Sequence, residues 1–235
     1  MLSSVLFFLR IDIFPHPMLK WLHIPFPQEV PMFSPDSKFM IVVSRFADLL
    51  LLNLVFLLTC LPVFTIGASL TALYTMCFRL MREEYSGIIR SYFSAFRANF
   101  KQATVIWLIL LVAGVPAVYY LTRLLALEGI LRYAGFLFVL IQLVVMMAGS
   151  YVFPWISQFE NATGQALKNA LILSISHLPR TLAIVIINLV PAIVWFFSPE
   201  LFIQVSFLWV ALYGAAAAYM NTGLLWHVFK PYRNA

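Results

Sequence analysis

The sequence predicts an all-α protein: a polytopic transmembrane helix bundle of about six membrane segments, the second of them short, with two cytoplasmic amphipathic helices and a parallel internal repeat. Three observations carry this reading. Of 235 residues, 63% are apolar and 10% charged. Soluble domains sit nearer half and a quarter, so this chain has too little polar surface to cover a water-soluble globule. From residue 46 onward the apolar residues gather into runs at 47–64, 67–80, 104–122, 133–156, 181–198 and 201–226. The 15 Lys and Arg, against 9 Asp and Glu, are then distributed unevenly between those runs, which sets orientation because bases are retained on the cytoplasmic side.

Residues 1–31 stand apart. The apolar run in Met1–Arg10 has no base ahead of it and no small-residue cleavage pattern after it, so it is a poor secretory signal. Pro15, Pro17, Pro25, Pro27 and Pro31 then block helix propagation. This stretch is read as an N-terminal extension, either a disordered arm or sequence upstream of a true start at Met32. Residues 32–235 are read as a single integral membrane domain.

Four of the runs reach the roughly 18 residues a helix needs to cross the hydrocarbon, and 104–122 does so with Pro116 near its end. The second run would span only about 21 Å, so it is a short tilted span or a re-entrant segment. Between the first two runs, in CLPVFTIGAS, Pro62 stops the helix ladder and Gly67 permits a turn, with Thr65 and Ser69 available as caps. The break reads as a hairpin turn near the outer surface. The alternative is a broken helix lining a substrate site.

Two separate spans place Lys38, Arg45, Arg79, Arg82, Arg90, Arg97, Lys101, Lys168, Arg180, Lys230 and Arg233 on one side and Arg123 and Arg132 on the other, a split of 11 to 2. One kinked span would give 9 to 4. The first arrangement is preferred, with six segments and both termini cytoplasmic.

Residues 86–102, SGIIRSYFSAFRANFKQ, place Ile89, Tyr92, Phe93, Phe96 and Phe100 at three- and four-residue steps, with Arg90, Arg97 and Lys101 along one edge. This is a basic amphipathic helix, expected to lie in the headgroup layer with its aromatic face buried and its bases against lipid phosphates. A docking helix for a partner is the competing role. Residues 160–180 occupy the matching place in the second half. At an offset of 77, Gly87 pairs with Gly164 and Thr104 with Thr181, while Pro116 and Pro191 pair at nearly that offset. A unit of span, cytoplasmic helix and span, used twice, returns to the same side each time and is a parallel repeat.

The polar residues exclude much. Asp48 is the one carboxylate near membrane depth, and an ion pair with Arg45 at i,i+3 explains it. Asn53, Gln142, Asn188, Gln204 and Asn221 are expected to make interhelical hydrogen bonds. Cys60 and Cys77 have no His or carboxylate at ligand spacing, so neither a disulfide framework nor a zinc site is expected. His16, His23, His177 and His227 have no catalytic partner at workable spacing, and no phosphate loop or paired carboxylates occur. No enzymatic activity, cofactor or metal is expected. Nucleic-acid binding is not expected either, since the bases are dispersed over short loops.

The strings DSKFMIVVSRFADLLLLNLVFLLTCLPVFTIGASLTALYTMCFRLMREE and SYFSAFRANFKQATVIWLILL, above all LPVFTIGASLTALY and FSAFRANFKQAT, resemble the YesL family of bacterial membrane proteins, whose shared domain has no assigned function. The resemblance runs from about Met32 to the C-terminus; the 31-residue extension departs from it. It implies a bacterial plasma-membrane protein that is an accessory of carbohydrate use, associated with ATP-driven sugar importers. A second resemblance is to the coupling helix of importer permeases, which runs from a Glu to a Leu-Pro: Glu160 and Leu178-Pro179 keep that distance, although Gly164 is displaced and the motif's Asp is absent. The expected function is therefore a non-enzymatic accessory membrane protein. The alternative is a permease-like subunit forming a translocation path with an ATPase partner. Beyond the lipid bilayer, any protein partner is expected on the cytoplasmic face, through Glu160, Gln165, Lys168, Leu178 and Pro179.

Overall fold

The computed structural model describes residues 38–84, 87–124 and 130–233, and every regular element among them is helical. The expected extension over 1–31 lies outside the described residues, as do the side chains of Arg123 and Arg132. In chain order the helices are α1 Lys38–Cys60, α2 Ile66–Arg82, α3 Ile88–Leu124, α4 Ile130–Ile156, α5 Thr163–Ser176, α6 Leu178–Phe197, α7 Pro199–Gln204 and α8 Gly214–Arg233. A 3₁₀ turn, Val63–Thr65, precedes α2. A single turn, Ser206–Leu208, and a π turn, Trp209–Tyr213, precede α8. Residues up to Ser44 group separately, and the chain from Arg45 on forms one compact unit.

Five stretches among the described residues are long and apolar enough to cross a bilayer: Phe39–Cys60, Val63–Arg82, Ile88–Gly114, Leu178–Phe197 and Ser206–Tyr232. The sixth expected segment is α4, 27 residues long, with Leu140–Ile156 as its described apolar part. The chain is a polytopic helical membrane bundle.

α1 and α2 fold back on one another. Arg45 donates to the Leu80 carbonyl at 2.8 Å and pairs with Glu83 at 2.8 Å. Residues 45 and 83 therefore lie at one end of an antiparallel hairpin, which excludes a single kinked span. At the other end the side chains differ from the expected capping. The Thr65 hydroxyl lies 2.6 Å from the Thr59 carbonyl and 2.7 Å from that of Pro62, so it satisfies the end of α1, and the Ser69 hydroxyl bonds the Thr65 carbonyl within α2. Gly67 does not make the turn. It sits inside α2, where a Cβ would overlap the Ala103 carbonyl oxygen and come within 2.5 Å of the Trp107 Cβ. The absent side chain lets α2 press its backbone onto α3.

α2 is the central helix. It packs on α3, α4 and α8, and all twelve residues from Gly67 to Phe78 except Leu70 are buried. Small residues on the α3 side and aromatics on the α8 side allow this: Phe78 stacks with Trp226 and Phe229. The second segment is thus longer than its apolar run, because the 3₁₀ turn and residues 81–82 extend it.

The amphipathic stretch over 86–102 is not a separate helix. It forms the first half of α3, a continuous 37-residue helix of about 55 Å, against roughly 30 Å of hydrocarbon. Lys101-Gln102-Ala103 are all good helix formers, so nothing stops propagation. In the second half the residues at the same offset as Lys101-Gln102 are Leu178-Pro179. A proline there lacks the N–H and crowds the carbonyl four residues back, so α5 ends at Ser176 and α6 restarts after His177. The two halves share an element order and differ at this joint.

Candidate functional site

The bundle interior carries a set of neutral polar side chains, and the structure shows what each does. Asn221 is fully buried on α8. Its Nδ2 donates to Asn188 Oδ1 at 2.8 Å and to the Tyr74 hydroxyl at 3.3 Å, while its Oδ1 has no partner. Tyr213 donates to the Ile187 carbonyl one step along α6. In the other half, the Thr181 hydroxyl lies 2.7 Å from the Ser174 carbonyl and 3.0 Å from the Tyr151 hydroxyl, tying α6 to α5 and α4. Asn53 is 1% exposed and grips the backbone of the π turn at the Val210 carbonyl and that of α8 just beyond it at the Ala215 N–H. The expected interhelical bonding therefore holds for Asn53, Asn188 and Asn221. Gln204 instead lines a cleft. Tyr74 was not singled out by its sequence surroundings, yet it pairs with Tyr151 at the repeat offset of 77, a signal that would have found both.

At one end of the bundle the chain gathers its aromatic and basic side chains. The Arg82 guanidinium lies over the Trp226 ring at 5.6 Å, donates to Gln158 Oε1 at 2.5 Å and stands 3.7 Å from Glu84. Trp155 packs on Phe159, Phe229 and Tyr232, and Gln102 donates to the Asn161 carbonyl at 2.6 Å. The Arg82 and Trp155 contacts bring the α2–α3 link, the α4–α5 link and the end of α8 together, and the Gln102 bond ties the α4–α5 link to α3.

The residues expected at the membrane interface divide between the covered and the open side of α3. Tyr92, Ala95 and Ala103 bury one face of α3, and the Tyr92 hydroxyl reaches Thr59 Oγ1 at 2.7 Å and the Ser69 carbonyl at 3.3 Å. Phe96 and Phe100 are half-buried against the core, with Phe96 5.4 Å from Phe100 and 6.5 Å from Tyr92. Arg90, Phe93, Arg97 and Lys101 are exposed. The apolar face is thus divided: Tyr92 is packed inside the protein, Phe96 and Phe100 are partly covered, and Ile89 and Phe93 stay exposed; at 100° per residue Arg90, Arg97 and Lys101 lie opposite Tyr92 and Ala95.

The residues expected to dock a partner lie on the surface of α5 and the α5–α6 joint and just before α5. Glu160, Gln165, Lys168, Leu178 and Pro179 are all exposed. On α5, Ala166, Ala170, Leu173 and Ser174 face the bundle, while Gln165, Lys168, Ile172 and Ile175 face outward. Pro62 ends the α1 side of the break. Far from α5 in sequence, an open cleft of about 510 Å³ is lined by Phe197, Ser198, Pro199, Glu200, Leu201 and Gln204 at the α6–α7 link. No three His, Cys, Asp or Glu side chains among the described residues could together hold a metal ion.

These elements define a class: a multi-pass helical membrane protein with an interior of neutral hydrogen-bonding side chains. A family model described as a protein of unknown function, DUF624, matches residues 49–120, from α1 through α2 into α3. That stretch contains LPVFTIGASLTALY and FSAFRANFKQAT, the strings that carry the YesL resemblance. No curated protein and no solved structure matches the chain.

Proposed function

We propose that the protein is a non-enzymatic accessory subunit of the bacterial plasma membrane, both termini cytoplasmic, that docks on an ATP-driven sugar importer through α5 and the α5–α6 joint. The observation that carries the docking reading is the outward face of α5. It combines the polar Gln165 and Lys168 with Ile172 and Ile175, which are 50% and 52% exposed, and it continues into Leu178 at 46%. A mixed face of this kind suits a protein interface better than water alone. The sugar importer as partner rests on the YesL resemblance.

A translocation path is the second reading, and the Tyr74–Asn221–Asn188 cluster favours it, since polar groups within a bundle can mark a passage. Affinity purification of the full chain from native membrane separates the two. Recovery of an intact importer supports the accessory reading, and a stable ATPase without another permease supports the path. Replacing Gln165 and Lys168 together by Ala is expected to reduce importer recovery several-fold while leaving the amount of inserted protein unchanged. Undiminished recovery would move the interface elsewhere.

A further inference from the structure

We infer that the Asn53 carboxamide is a latch that holds the segment before α8 in one of two rotational registers. The inference is independent of the partner reading, because it concerns only how α1 grips the last span.

Residues 206–233 hold no proline before Pro231 and would run as one α-helix on composition alone. Yet Trp209–Tyr213 forms a π turn, in which backbone partners stand five residues apart instead of four. Val210 C=O and Ala215 N–H are one such pair, and Asn53 occupies both. Its Nδ2 donates to the Val210 carbonyl at 2.7 Å, and the Ala215 N–H donates to its Oδ1 at 2.8 Å. Both halves of the buried amide are used. Gly214 supplies the room, because a Cβ there would lie 2.8 Å from Asn53 Oδ1 and 3.0 Å from Phe56 Cε1.

In an apolar interior those two backbone groups cannot stay unpaired if the amide withdraws. The route open to them is closure of the π turn to α, with Val210 C=O taking the Gly214 N–H and Ala215 N–H turning to the Ala211 carbonyl. Closing the turn with all its residues in place takes the extra residue into the α-helix, which rotates everything before it by about 100° and moves it by about 1.5 Å along the axis. That segment carries Glu200 and Gln204 of the cleft, and Phe202, which packs on Trp195 and Trp209. One side chain of the first span thereby sets the direction in which the cleft residues face.

The test uses the full chain in detergent or lipid nanodiscs, with Cys60 and Cys77 replaced by Ala. Three variants are compared: Asn53→Leu, deletion of Ala211, and the two together. Each single change is expected to lower the thermal midpoint, the first by closing the turn and pulling the segment before it out of its packing, and the second by stranding the amide. The double variant is expected to sit well above the additive sum, because a plain α-helix no longer needs the amide. Single cysteines at Ile203, Gln204 and Phe207 should show a maleimide-reactivity pattern shifted by about one residue in Asn53→Leu, where the turn closes with all its residues, and an unshifted pattern in the double variant, where the deletion removes the extra residue. A double variant at the additive sum, an unshifted pattern in a folded Asn53→Leu chain, or a shifted one in the double variant would overturn the latch.

Discussion

Gly67 decides how closely two helices meet. A Cβ at this position would strike backbone of Ala103 and the Trp107 Cβ, neither of which can swing aside, so Gly67→Val must push α2 off α3 and break the Trp107 Nε1 bond to the Val63 carbonyl at 2.8 Å. Overpacking of this kind costs about 1 to 3 kcal/mol. Gly149→Ala meets only Leu110 Cδ1 at 3.6 Å, an ordinary contact, and is expected to be near neutral. Thermal midpoints of the two purified variants check this, and equal losses would show that the α2–α3 contact is looser than described. The sequence makes Pro62 legible as a helix stop but leaves Gly67 ambiguous. A glycine after a break reads as a turn residue, and its real partner lies 36 positions further on. The same holds for Asn53: its type foretells an interhelical bond, whereas the backbone groups it takes are more than 150 residues away.

At the scale of elements, the apolar runs give the spans because a helix that must cross hydrocarbon has few ways to be composed. Joints are harder to read. The periodic aromatics of 86–102 are equally consistent with a helix lying on a membrane and with one packed against a neighbour, and the burial of Tyr92 and Ala95 shows that one face of it packs against the bundle. A consequence separates the two within one stretch. Phe96 packs between Tyr92 and Phe100, while Phe93 is 39% exposed. Phe96→Asp should remove much of the 1.5 to 3 kcal/mol that burial of a Phe contributes, roughly, and place a charge against the core. Phe93→Asp should cost less, and Arg97→Ala least. Thermal unfolding in detergent ranks them, and a larger loss from Phe93 than from Phe96 would return the helix to the headgroup layer.

At the scale of the whole molecule, the base count and the contacts agree on which links share an end. Arg45 with Glu83, Arg82 with Gln158 and Trp155 with Tyr232 gather the α2–α3 link, the α4–α5 link and the end of α8 at one end of the bundle. These ties do not depend on the positive-inside rule. From that end α6 runs 20 residues, Leu178–Phe197, about 30 Å and enough to cross the hydrocarbon. Glu160 and Glu200 are then expected on opposite faces of the membrane, and the proposed orientation, which rests on the excess of Lys and Arg at the first end, has Glu160 inside. In a chain with Cys60 and Cys77 replaced by Ala, a cysteine at Glu200 should react with an impermeant maleimide in intact cells, and one at Glu160 only after permeabilisation. Reaction of both in intact cells would mean that α6 does not cross. The opposite order would keep the bundle and invert it, moving the outward face of α5 away from any ATPase in the cytoplasm.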